Sequence, residues 1–205
     1  MAPRGSGDTE MLPCAIQFDG SEGICVKPMK IDIDAVPEGK RSHPDFVGLL
    51  NDMTIGMSDP KKVLSVCTHE AGHLFFGLEM RMEIIGLDLP QIIYVEPNQF
   101  QGHGARIKVK VIENTVEQIA VMLAAGGVVS RELDNGLGPG DSEDRALFDT
   151  MCRGAGLTDP AKIESLWKAG QDTVKARLQD PAFREMMREC GRRVMQDLEK
   201  AVETA

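Results

Sequence analysis

Several common signatures are missing from these 205 residues. None of the five cysteines (Cys14, Cys25, Cys67, Cys152, Cys190) forms a Cys-x-x-Cys pair. An odd, scattered set counts against a disulfide framework and points to reduced thiols in a cytoplasmic protein. No stretch of about 18 uninterrupted apolar residues is present, so no membrane span is expected. The opening "MAPRGSGDTEMLP" has no apolar core of the kind a secretory signal carries, and residues 1–13 read as a flexible tail. No run of lysine and arginine interrupts a net charge of −9, which counts against nucleic acid as a partner. There is no internal repeat and no low-complexity tract. What remains is an ordinary globular composition, 42% hydrophobic and 27% charged. The length suits one domain, taken as residues 14–205.

Helix starts are well marked. Asp59-Pro60, Asp159-Pro160 and Asp180-Pro181 each place a capping carboxylate before a proline at the first helical position. The first of these helices should run to about Met80, the last over about 181–203. Asn114-Thr115, with Glu117 or Gln118 following, makes a capping-box start for a helix to about Leu133. Gly126 and Gly127 lower the helix propensity of that segment, and a close approach by another element would account for them. A further helix should begin near Ser142, after the loop "DNGLGPGDSED". Residues 14–34 read as one or two short strands, "VPEGKRSHPD" as a loop, and Phe46–Met53 as a short helix. "MEIIGLDLPQIIYVEP" and "GARIKVKVI" read as strands joined by a glycine-rich turn, "NQFQGHG". The fold expected is α+β, a mostly helical body with a small sheet beside the first long helix.

That helix carries "VCTHEAGHLFF", Val66–Phe76. Positions i and i+4 of a helix point the same way, so His69 and His73 can offer two imidazole nitrogens to one tetrahedral Zn²⁺. Glu70 lies about 100° round the helix, within reach of a water at the metal as a general base. Two histidines on a buried helix can also be ordinary core residues. Against this, the chain has only four histidines, and Glu70 would be an expensive charge in an apolar helix without a purpose. Ala71 and Gly72 are small and would leave room for substrate or a strand over the helix. Phe76 and Glu79 stand where a metzincin needs Gly and His, which excludes that class. The third ligand should then be a downstream carboxylate: Glu96, Glu113, Glu117, Glu132, Asp141, Glu143 or Asp144. His103 and His43 read as loop residues, Cys67 as core, and the Met and Leu stripes of 181–203 as packing or an oligomer interface.

The ordered set "THEAGH", a strand pair, "AVMLAAGGVVSREL" and "GPGDSEDRALFDTM" resembles the peptidase domain of the FtsH-type ATP-dependent zinc proteases over roughly residues 58–155. The resemblance implies that Asp144, in "GDSED", is the third zinc ligand. Asp141 would then be the helix cap, Glu143 would point about 100° away, and Glu132 is the fallback. The family's basic and acidic helix positions are not matched by Gly126–Arg131. The 205 residues contain no G-x-x-x-x-G-K-[ST] phosphate loop, so the ATPase module is not encoded here. The expectation is a cytoplasmic zinc-dependent peptidase acting on unfolded or flexible polypeptides. His69, His73 and Asp144 would hold Zn²⁺ and Glu70 would be the base, with a separate ATPase or self-assembly as further partners. The rival is a non-catalytic zinc-containing interaction or regulatory module, for which an intact Glu70 would have no use.

Overall fold

The computed structural model describes residues 31–96, 99–111, 113–133 and 141–204, with no side-chain account of 60 or 198–204. The 1–13 tail, Cys14, Cys25 and most of the strand reading for 14–34 lie outside these residues. The chain order is α1 (Pro44–Met57), α2 (Pro60–Glu79), β1 (Glu83–Asp88), β2 (Gln91–Val95), β3 (Gln99–His103), β4 (Arg106–Lys110), α3 (Val116–Leu133), α4 (Ser142–Gly154), α5 (Pro160–Arg177) and α6 (Pro181–Thr204). The protein is α+β and mostly helical. No helix among the described residues is long and apolar enough to cross a membrane.

The caps behave as their chemistry dictates. Asp59, Asp159 and Asp180 each accept the backbone N–H two residues on, at 2.9–3.0 Å, satisfying an amide that the first helical turn leaves without a partner. Thr115 and Gln118 form a reciprocal capping box: Gln118 N–H donates to Thr115 Oγ1 at 3.3 Å, and Thr115 N–H to Gln118 Oε1 at 2.9 Å. His43 is not a plain loop residue. It caps α1 by accepting the Asp45 N–H at 3.3 Å ahead of Pro44, and this start extends α1 beyond the Phe46–Met53 reading.

The centre of the molecule is α3, buried on every side from Ile119 to Ser130, with its charged residues Glu117, Arg131 and Glu132 at its ends. It packs against α2 and α5, and α2 also packs against α6. Small residues set these crossings. A Cβ on Gly72 of α2 would stand 2.9 Å from the Ala125 carbonyl oxygen of α3, and one on Gly170 of α5 would stand 2.7 Å from the Ala120 carbonyl. The space beside Ala71 and Gly72, expected to admit substrate or a strand, is therefore filled by α3, and Ala71 is core. Between α2, α3 and α6 lie Cys67, Phe76, Val128, Phe183 and Met187; on the other side of α3, Phe148 and Trp167 pack against Leu123 and Ala124. Burying Phe76 or Phe148 contributes about 1.5–3 kcal/mol each.

The sheet region departs from the expected strand pair. "NQFQGHG" is largely not a turn: Gln99–His103 is strand β3, paired antiparallel with β2, while β1 pairs antiparallel with β4. The four strands form two ribbons. Alternation in "QFQGH" is weak because only one side chain in it is large and apolar, so its strand character comes from pairing with Gln91–Val95. Phe100 seals β3 onto Phe46 and Tyr94. Beside α2, β4 exposes one edge, and this edge shapes the site.

Candidate metal centre and its cleft

Helix α2 carries His69, Glu70 and His73 into the interior, all three buried. The i, i+4 spacing brings His69 Nε2 and His73 Nε2 to 3.0 Å of each other. From α4, Asp144 Oδ2 lies 3.2 Å from His69 Nε2 and 3.4 Å from His73 Nε2. Three ligands of a tetrahedral ion with bonds of about 2.0–2.1 Å would be separated by about 3.3–3.4 Å. The two imidazoles and one carboxylate therefore already stand close to the spacing that a zinc ion demands.

The tautomer supports the same use. His73 Nδ1 donates to the Met122 carbonyl of α3 at 2.9 Å, so in the neutral ring Nε2 keeps its lone pair toward Asp144. His69 Nδ1 is buried without a hydrogen-bond partner among the described residues. Gly126 closes the back of the site. A Cβ there would collide with His73 Nε2 and come within 2.6 Å of His69 Nε2, so the α3 backbone can lie against both rings only because this residue has no side chain.

Strong mutual fields act on these groups. Burial disfavours the His73 imidazolium, but the hydrogen bond and charge of Asp144, the charge of Glu70 and the Met122 carbonyl outweigh it and raise its pKa to about 9. Burial also pushes against ionised Asp144; its hydrogen bonds to His69 and His73 win and hold it well below the usual carboxylate range. For Glu70 the balance is reversed. Burial raises its pKa above that of a free carboxylate despite the two histidines and the Ile107 amide. A carboxylate raised in this way is better matched to proton exchange near neutral pH.

Glu70 is anchored from the sheet. Its Oε2 accepts the Ile107 backbone N–H of β4 at 2.7 Å. In front of it opens a cleft of about 870 Å³, walled by Gly104 and Ala105, by Arg106, Ile107 and Val109 of β4, and by α4 at Glu143, Asp144, Leu147 and Met151. One end holds the His69–His73–Asp144 cluster. Val109, Val111, Leu123 and Met151 add apolar walls. Arg106 crosses the cleft to Glu143 Oε2 at 2.5 Å. The same guanidinium donates to His103 Nδ1 at 2.6 Å, and burial and this positive neighbour lower the His103 pKa, keeping its ring neutral enough to accept.

The remaining carboxylates read as possible ligands are elsewhere. Glu96, Glu113 and Glu117 are exposed. Glu132 is exposed and faces Arg184 of α6 at 4.0 Å. Asp141 occupies the cap position of α4 but makes no side-chain cap bond; Arg131 at 3.1 Å and Gln171 at 3.2 Å take its carboxylate instead. Cys67 is core, and Glu79 pairs with Arg177. Of three further contributors, one was legible in the sequence and two were not. Gly126 was signalled by the glycine pair in an apolar helix, though not its partner. Ile107 and Arg106 gave no signal, since their contacts with Glu70 and Glu143 each span 37 residues. No protein-family model matches the chain, and no curated protein and no solved structure matches it either.

Proposed function

We propose that the chain is a zinc-dependent peptidase of the kind its "THEAGH" and "GDSED" segments resemble, with His69, His73 and Asp144 as ligands and Glu70 as general base. The observation that carries this reading is the convergence of two imidazole nitrogens and one carboxylate oxygen within 3.4 Å, in a buried corner that opens on a cleft beside Glu70. One carboxylate and two neutral nitrogens suit zinc and leave it net positive. Bound there, the ion would polarise a scissile carbonyl and acidify water. Glu70, with one oxygen on the Ile107 amide, would use the other to take the water proton and pass it to the leaving amine. The β4 edge and the apolar walls would hold the polypeptide extended across the site.

A chain lying in such a cleft has to be locally unfolded, so flexible polypeptides are the expected substrates. Folded proteins would need a separate ATPase, and self-assembly remains open to the α6 surface. Cys67, Cys152 and Cys190 are thiols, which fits a cytoplasmic setting. The rival, a zinc-containing interaction module without catalysis, leaves the burial and anchoring of Glu70 without a use. The test pairs metal analysis of the purified protein with cleavage of an unstructured polypeptide. Stoichiometric zinc with cleavage supports the peptidase; stoichiometric zinc with no cleavage supports the rival.

A further inference from the structure

We infer that Arg106 is a carboxylate-binding residue of the cleft, occupied by Glu143 when the cleft is empty and by a carboxylate of the entering peptide when it is filled. Among the described residues, Arg106 is the only lysine or arginine lining the cleft. It sits one residue before Ile107, whose amide anchors Glu70, and its partner Glu143 sits one residue before Asp144. The ion pair therefore bridges strand and helix directly beside the candidate metal centre, across the path a peptide would take. A chain threading between β4 and α4 has to part it.

The pair is built to exchange. Glu143 is 71% exposed and Arg106 43% exposed, so water competes for both groups and the contact is weak to open. The guanidinium is not left to wander once released, because His103 Nδ1 still accepts from it at 2.6 Å. Both contacts are made by Nη2, so when Glu143 leaves, His103 keeps one N–H of that nitrogen and the other is vacated for a carboxylate. That carboxylate can come from an acidic side chain near the bond to be cut or from a peptide C-terminus. The inference rests on the peptidase reading only for the class of molecule that enters the cleft.

The test uses binding. The zinc-loaded full chain carrying Glu70→Gln is titrated into four fluorescent, unstructured octapeptides that differ only in central Glu or Gln and in a free or amidated C-terminus. At low salt, peptides bearing the recognised carboxylate should bind about 10-fold tighter than the neutral peptide. A preference for central Glu identifies a side-chain carboxylate; a preference for the free terminus identifies end recognition. Adding Arg106→Gln should bring the ratio to about one, Arg106→Lys should restore part of it, and Glu143→Gln should tighten the acidic peptides several-fold by removing the competitor. Equal binding of all four peptides, no binding of any, or an Arg106→Gln variant that weakens all four alike would overturn the inference. Because no turnover is needed, charge-selective binding by a chain whose unmutated form cleaves nothing would count against the peptidase reading alone.

Discussion

Gly126 of α3 lies so close to His73 of α2 that a single added methyl group would occupy the space of the His73 Nε2 atom. Helix packing and the candidate metal centre are thus one construction. The central helix passes behind both imidazoles and fixes how far they can retreat.

Gly126→Ala should therefore lose zinc affinity by 10-fold or more without altering a ligand, the size of effect expected when a group supporting metal ligands is disturbed. Gly48→Ala in α1, where a Cβ meets nothing within 4 Å, is the control and should stabilise the protein by about 0.5–1 kcal/mol. Zinc titration and thermal unfolding of both variants check this. Wild-type zinc affinity in Gly126→Ala would mean that the rings are not positioned as described.

The proposed third ligand, Asp144, can be separated from its neighbours by substitution. Asp144→Asn should weaken zinc binding about 10-fold or more and remove the gain in melting temperature that zinc confers. Asp141→Asn should cost some stability through its lost pairs with Arg131 and Gln171, with a much smaller effect on zinc. Glu132→Gln, at the α6 interface, should leave zinc affinity near wild type. Chelator competition on the three variants ranks them; Glu132→Gln falling below Asp144→Asn would reject Asp144.

The pH dependence has a definite sign. The surroundings of His73 raise its pKa from 6.5 to about 9, so its contribution to stability is fully present below pH 6.5 and is lost as pH rises through 9. Zinc needs the unprotonated nitrogen, so protons compete with the metal below pH 9. Apparent zinc affinity should rise up to about tenfold per pH unit from 7 to 9, with close to one proton released per zinc bound at pH 7. Calorimetry in buffers of different ionisation enthalpy counts that proton. A pH-independent affinity over this range would contradict the account.

Much of this architecture was legible in the residues because its signals are local. The Asp-Pro caps, the Thr115–Gln118 box and the His69–His73 spacing each act within one helical turn, where geometry follows from adjacent residues. The strands were harder: β3 has almost no apolar alternation, and its state is decided by a partner strand. Asp141 stands at the cap position as read, but its carboxylate goes to Arg131 and Gln171, distant in sequence, instead of the nearby amides. Residues that complete the site from afar, Ile107 onto Glu70 and Arg106 onto Glu143, leave no pattern in the chain at all.

The proposed function carries a prediction about substrate state. On the proposed peptidase reading, the cleft between β4 and α4 would take an extended segment, and the 205 residues contain no G-x-x-x-x-G-K-[ST] loop. A disordered polypeptide should be cut while a stably folded domain at equal concentration survives, as read by gel over the same time course. Equal rates would show that unfolding is not required.

The most direct measurement is cleavage of an unstructured peptide by zinc-loaded wild type and Glu70→Gln, with bound zinc quantified in the same samples. Glutamine keeps an oxygen for the Ile107 amide and leaves every ligand in place but cannot accept the proton. The account predicts equal zinc content and a cleavage rate reduced by about 10²–10⁴-fold. Cleavage at the wild-type rate by Glu70→Gln, or no cleavage by fully zinc-loaded wild type, would contradict it.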